Sequence, residues 1–252
     1  MDNKPIATVF MLLYGKYPKM HRECLKAAIH SIPCNIPIRI GLNEVDDLLL
    51  TWLERGSLDP QMLVPGTLRA GNLQRGIQQG RITYYSSGNQ NIKKYPMMRR
   101  MLWDDSIKTN WVIWLDDDTF IEEDSGWWSL FETMAEDPET VYMGERWVID
   151  WQGKQEQFIQ TRPWFKGKGP QIIKGRPGIA FHTGGFVMVR TKVLKKLDWP
   201  DHELLHNGGD TLLSEAIRQN DWHITDFPTK DYGIHVNSAK RRGYSEAPAG
   251  SR

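Results

Sequence analysis

The chain opens on an unbroken apolar run, "IATVFMLLYG" (residues 6–15), which predicts a strand buried on both faces. In "HRECLKAAIHSI" (21–32), Cys24, Leu25, Ala28 and Ile32 fall on one face of a helix. "IPIRIGLNEV" (36–45) is a second strand ending in polar residues, so the opening is β-α-β and the sheet is expected to be parallel. "DDLLLTWLERG" predicts a short helix stopped by Gly56, whereas residues 57–80, rich in Gly, Pro and Gln, suit no element. A third strand, "GRITYYSSGN", leads to a helix, "YPMMRRMLWDDSI", and then to a fourth strand, "WVIWLDDD". "GWWSLFETMAED" is a helix stopped by Pro138, and "TVYMGERWVIDWQG" a strand turning at Gly153. "GIAFHTGGFVMVRTKVLKKL" holds a strand and a helix, "DTLLSEAIRQND" a helix and "WHITDFP" a short strand. This alternation predicts a single α/β domain whose central, mostly parallel sheet is flanked by helices. Ligands of such sheets bind beyond the carboxyl ends of the strands.

Composition narrows the class. With 252 residues, 40% apolar and 25% charged, the chain has the make-up of a folded soluble domain. A net charge of +1 does not by itself announce a polyanionic partner. Cys24 and Cys34 are the only cysteines, which excludes a disulfide framework and a CxxC zinc site. The apolar run Ile6 to Tyr14 is too short to span a bilayer and no signal peptide is visible, so a cytoplasmic protein without a membrane anchor, in a bacterium or a phage-infected host, is expected. Eleven tryptophans are many for this length. They fill core, or they stack on sugar rings or bases.

The chemistry concentrates at "WVIWLDDDTFIEED" (111–124). Three consecutive aspartates repel one another unless something positive lies among them. Side chains alternate along a strand, so Asp116 and Asp118 point one way and Asp117 the other. Two carboxylates delivered by a buried strand to the rim of a sheet form a hard-oxygen site for Mn²⁺ or Mg²⁺ with positions left for phosphates. A solvated acidic turn is the bland reading of the same residues.

This segment resembles the DxD segment of the family 2-like nucleotide-sugar glycosyltransferases with the GT-A fold. The resemblance implies a divalent metal and a nucleoside-diphosphate sugar, by default a UDP-sugar. It makes Asp118 the metal ligand, Asp116 its partner toward metal or ribose, and leaves Asp117 able to take either role. It places the base near Leu13, Tyr14 and Gly15 and near Asn43 and Glu44. "FHTGGFVMVRTKVLKKLDWPD" is similar to the acceptor-side segment, with His182, Gly184 and Gly185. "HNGGDTLLSEAIRQ" is similar to the segment carrying the catalytic carboxylate of inverting members, here Asp210, with His206 and His182 as rivals and helix capping as the structural alternative. "YGIHVN" puts His235 where several members have a third metal ligand, and the tail would bring Lys240 and Arg241 to the phosphates. Among Lys93, Lys94, Arg99 and Arg100, Lys94 and Arg99 are the donor-binding candidates. The implied organisation is a donor half, 1–125, an acceptor and catalytic half, 126–240, and a flexible tail, 241–252.

The acceptor is read from charge. Residues 157–197 contain no Asp or Glu and nine Lys and Arg, and their first half, "TRPWFKGKGPQIIKGRPG", reads as an aromatic-studded loop. Trp164, Lys166 and Lys168 would line the acceptor side. A basic, aromatic surface suits nucleic acid, and soluble phage-type transferases that glycosylate hydroxymethylated pyrimidines in DNA would look like this. A saccharide or lipid-linked glycan is the alternative acceptor. A nucleotidyltransferase of the same fold and a non-catalytic nucleotide-sugar or DNA-binding module remain further readings. The former usually carries a Gly-rich basic loop after the first strand, where this chain has "YGKYPKMHRE".

Overall fold

The structure is a computed structural model that describes residues 5–45, 47, 49, 51, 53, 80–87, 94–151, 153–201, 204 and 208–236. Strand β1 (Ala7–Tyr14) is buried along all but its last residue. It pairs in parallel with β2 (Ile38–Asn43) on one side and β4 (Trp111–Asp116) on the other, and β2 pairs in parallel with β3 (Ile82–Ser86). Helix α1 (Pro18–Ser31) begins with Pro at a position whose N–H would have no helical partner, and it buries Cys24, Leu25 and Ala28 as the periodicity predicts. Helix α2 (Lys94–Leu102) crosses between β3 and β4. The crossovers leaving β1 and β4 diverge, which opens a crevice beyond the carboxyl ends of these two strands.

The second half is built differently. Helix α3 (Trp127–Ala135) leads to β6 (Thr140–Asp150), and helix α4 (Gly153–Gln160) to the hairpin of β7 (Gln171–Ile173) and β8 (Arg176–Arg190). Lys174 and Gly175 turn this hairpin with φ of 51° and 77°, the left-handed pair that matches strand twist. The segment read as one loop, 161–178, is loop over 161–170 and then enters the β7–β8 hairpin. Helices α5 (Thr191–Lys196) and α6 (Gly209–Gln219) and strand β9 (His223–Asp226) follow. The sheet order is β3-β2-β1-β4-β8-β6-β9, with β7 beside β8. β8 is antiparallel to both β4 and β6, while β9 runs parallel to β6. A two-residue pair, β5 (Phe120–Ile121) with β10 (Ile234–His235), lies just past the aspartates.

Two apolar layers sandwich the sheet. One joins α1 and α3 to it through Leu25, Trp111, Trp127 and Phe131. The other joins α2, α5 and α6 through Met97, Trp114, Leu213 and Ile217. Most of the described tryptophans are core. Trp103 and Trp147 are the exposed ones, and Trp103 donates to the Trp199 carbonyl beneath Arg99.

Beyond its last partner on β4, β8 continues upward. Between Gly144 and Arg146 on β6 two steps are taken, whereas the partners on β8 go from Val187 to His182, five steps. The surplus is a bulge containing Thr183, Gly184 and Gly185, at the level where β4 ends.

Candidate active site

The carboxyl ends of β1 and β4 place the aspartates. Asp116 lies opposite Leu12 in register, and Asp117 and Asp118 form the turn that follows. Thr119 is fully buried and fixes that turn twice. Its N–H donates to the Asp116 carbonyl at 3.1 Å, and its hydroxyl donates to the Gly185 carbonyl at 2.6 Å. The aspartate turn and the β8 bulge are thereby one rigid unit.

The three carboxylates go to different partners. Asp116 accepts from the Lys94 ammonium at 2.6 Å. Burial alone would lower the lysine, but Asp116 and then Tyr95 beside it outweigh this and hold it above its ordinary value. Burial likewise pushes the Asp116 carboxyl up, and Lys94 draws it only part of the way back. Asp117 turns toward α1 and accepts from His21 Nε2 at 3.1 Å and from the Tyr14 N–H at 3.2 Å. Asp118 stays half-buried at the tip of the turn.

Asp210 reaches the same rim from a distant part of the sequence. Helix α6 starts at an N-cap glycine, Gly208, with φ of 76°, so Asp210 stands in the first turn and is not the cap. A carboxylate there is favoured by the helix dipole. Its Oδ2 accepts from the Gly184 N–H at 3.3 Å and its Oδ1 from its neighbour Thr211 at 2.9 Å. Tyr95 and Gly209 set this position. The Gly209 N–H donates to the Tyr95 hydroxyl at 2.8 Å, and a Cβ on Gly209 would lie within 2.3 Å of the tyrosine ring. A methyl on Gly184 would touch both Asp210 and Lys94 Nζ at 3.6 Å. Lys94 and Tyr95 of α2 thus connect Asp116 to Asp210. Tyr95 was not legible as a site residue, although a bulky aromatic after Lys94 and two glycines before Asp210 are the signal.

The other expected residues divide clearly. Leu13 is fully buried, Tyr14 is 40% exposed at the end of β1, and Gly15 has φ of 78°. Asn43 is buried with its carbonyl accepting from the Gly15 N–H, and Glu44 adopts φ of 57° beside it. These five lie at the carboxyl ends of β1 and β2, with the Leu13 side chain in the core. Arg99 does not join them. Five residues from Lys94 is about 140° around a helix, and Arg99 binds the Asp198 and Pro200 carbonyls and the Asp198 carboxylate instead. His235 pairs across from Phe120 and bonds Glu122 at 2.7 Å. Lys93, His206, Lys240 and Arg241 lie outside the described residues.

Of the residues expected on the acceptor side, Gly184 and Gly185 stand at the rim, and Gly185 is approached so closely by Val236 that a Cβ would meet it at 2.2 Å. His182 is fully buried against Tyr142, with Nε2 3.5 Å from Asp226, and burial lowers it to about 4. Trp164 is core. Lys166 and Lys168 donate their backbone N–H groups to Gln219, and Lys168 is ion-paired with Asp221, so both lie at the end of α6 opposite Asp210. Nine helical residues make that about 14 Å.

The nine basic residues are not one surface. Arg190 pairs with Trp111 at the start of β4, five residues and about 16 Å from Asp116. It binds the carbonyls of Ala135, Asp137 and Thr140. Lys192, Lys195 and Lys196 follow it at that far end, Arg162 is paired with Asp201, and Lys174 turns a hairpin.

Among the described residues, no three His, Cys, Asp or Glu side chains gather into a ready cation cage. Asp116 and Asp118 nonetheless fit a hard divalent ion that takes the rest of its shell from phosphate and water, and Lys94 shows that the Asp116 carboxylate attracts a cation. No helix among the described residues is long and apolar enough to cross a membrane.

Comparison with known proteins follows this geometry. Residues 105–198, which include the aspartates and the β8 bulge, match the family described as Glycosyl transferase family 2. No curated protein matches the chain in sequence. Among solved structures, the chain is similar to the mannosyltransferase PcManGT of Pyrobaculum calidifontis in complex with GDP-Man and Mn²⁺, with a TM-score of 0.58, 11% identity and 90% of this chain covered. It is also similar to residues 1-349 of S. aureus TarS, with a TM-score of 0.53, 14% identity and 93% covered. The match spans 56% of the first protein and 61% of the second. The chain thus shares the GT-A fold of these two neighbours, and its residues 105–198 are the part that matches family 2.

Proposed function

We propose that the chain transfers a sugar from a nucleoside-diphosphate sugar to an acceptor hydroxyl, with residues 1–125 seating the donor and 126–240 the acceptor. The observation that carries this reading is the convergence of Asp116 and Asp118 with Asp210, joined by Lys94 at one sheet rim. Tyr14, Gly15, Asn43 and Glu44 bind the nucleoside at the end of β1. Asp118 and Asp116 offer the oxygens that Mn²⁺ or Mg²⁺ prefers, and a cation bound there supplies positive charge to the leaving diphosphate. His235 enters that set only by leaving Glu122. Asp210 accepts the proton of the acceptor hydroxyl as its oxygen bonds to the anomeric carbon. The bond from that carbon to the diphosphate breaks, its electron pair leaves with the phosphate, and the configuration inverts.

A uridine donor is the default, and guanosine is the other donor to assay because the P. calidifontis protein was solved with GDP-Man. Both proposed acceptors, a hydroxymethylated pyrimidine in DNA and a glycan, present a hydroxyl. Four of the nine basic residues, Arg190, Lys192, Lys195 and Lys196, lie at the end of the sheet away from the aspartates, which weakens the charge argument for DNA. Incubation with Mn²⁺ and UDP- and GDP-sugars is expected to give slow donor hydrolysis, reduced about 100-fold in Asp118→Asn. Wild-type hydrolysis in that variant sinks the assignment of Asp118. Release of pyrophosphate from a nucleoside triphosphate would identify a nucleotidyltransferase. Lack of duplex-DNA binding at low salt would eliminate the DNA acceptor.

A further inference from the structure

We infer that His21 is a positioning residue for the aspartate turn, acting through Asp117, and that Asp117 is a joint and not a ligand. This rests on the transferase reading only for its consequence in catalysis; the joint itself is visible in the fold.

His21 lies on α1, 96 residues before Asp117 in sequence, and is fully buried. Its Nδ1 is buried without a hydrogen-bond partner, a costly feature in a core position that an apolar side chain could fill. Its Nε2 has one hydrogen bond, to Asp117 Oδ2 at 3.1 Å. A carboxylate only accepts, so Nε2 carries the proton. The Tyr17 ring stands edge-on against the imidazole, with centroids 6.0 Å apart, and holds its plane. The same Oδ2 accepts from the Tyr14 N–H at 3.2 Å. One oxygen of Asp117 therefore ties the nucleotide end of β1, the first turns of α1 and the turn after β4 together.

Thr119 clamps the other side of that turn to the β8 bulge. Between these clamps, Asp118 has little freedom to move relative to Tyr14 and Gly15. Nucleoside binding and cation binding are mechanically coupled through Asp117, and His21 sets the coupling. Groups that orient a metal ligand without touching the ion change affinity by about 10- to 100-fold when removed; His21 acts one step further out, through Asp117 on the turn that carries Asp118.

Two variants separate this from a packing role. His21→Leu keeps the volume and loses the donor; His21→Gln keeps an N–H donor at comparable reach. Mn²⁺ binding in the presence of UDP or GDP, followed by water-proton relaxation, is expected to weaken about tenfold in His21→Leu and to return to within about threefold of wild type in His21→Gln. Amide exchange over residues 116–119, which needs no ligand, is expected to rise in His21→Leu and to stay near wild type in His21→Gln. Equal behaviour of the two variants in exchange, or unchanged exchange in His21→Leu, overturns the inference. If the wild type binds no Mn²⁺, the metal-dependent part of the transferase reading fails, and amide exchange alone decides the role of His21.

Discussion

The two sides of the β4–β8 junction are built on different principles. On the β1–β2–β4 side, the strands are all parallel, and the residues at the rim are the last residues of strands or the turns just after them. On the β8–β6 side, antiparallel strands, a bulge and a helix start bring together Gly184, Gly185 and Asp210 from separate stretches. The first side is the shelf proposed above for the donor. The second is assembled by contacts such as Tyr95 with Gly209 and Thr119 with Gly185, so small changes there move reactive groups.

The sharpest test of this difference is Asp210→Asn. Its geometry as an acceptor of the Gly184 N–H is kept, so fold and donor affinity should hold while kcat for transfer falls about 10³-fold, in the range for a positioned base. Isothermal titration with donor and steady-state rates check both halves of that statement. A smaller rate loss with weakened donor binding would move Asp210 to the donor shelf.

The glycine pair breaks the comparison at a finer scale. Gly185→Ala forces a methyl into Val236 and should cost about 1–3 kcal/mol in urea unfolding, as overpacking does. Gly184→Ala meets only ordinary contacts and should stay within about 0.5 kcal/mol.

Acid should weaken the assembled side. His182 titrates near 4 in the fold because it is buried, against an ordinary 6.5, with Asp226 favouring the charged form and Arg146 opposing it. The unfolded chain then binds more protons between these values, so stability falls as pH drops through that window. The linkage relation gives a loss of about 2 kcal/mol between pH 7 and pH 5, measurable by urea unfolding and smaller in His182→Leu. The least effect is expected from Lys166→Ala with Lys168→Ala. Their backbones bond Gln219, about 14 Å along α6 from Asp210 and beyond a Debye length of about 8 Å, so turnover should change less than about twofold.

The first side was largely legible. Apolar runs such as "IATVFMLL" and "WVIWL" are strands in the places expected, and the aspartates stand at a strand end as the alternation of elements required. Asp210, expected at a helix start, stands in the first turn of α6. What could not be read were the consequences of pairing. Periodicity gives a strand but not its neighbour, so nothing indicated that β8 would insert antiparallel between β4 and β6. That one fact carries Arg190 and the three lysines after it to the end of the sheet away from the aspartates. Nor could spacing show Arg99 turned to residues 198–200, or His21 turned to Asp117, since both depend on contacts nearly a hundred residues apart.

The run of α6 along β8 has one more effect. Where β4 stops, β8 would present bare N–H groups to solvent, the kind of edge onto which a strand from another molecule adds. Ser214 takes the His182 N–H at 3.2 Å and Asp210 takes that of Gly184. The carboxylate proposed as the base therefore also satisfies a backbone N–H of β8, and replacing it with a residue unable to accept, such as alanine, should cost stability as well as turnover.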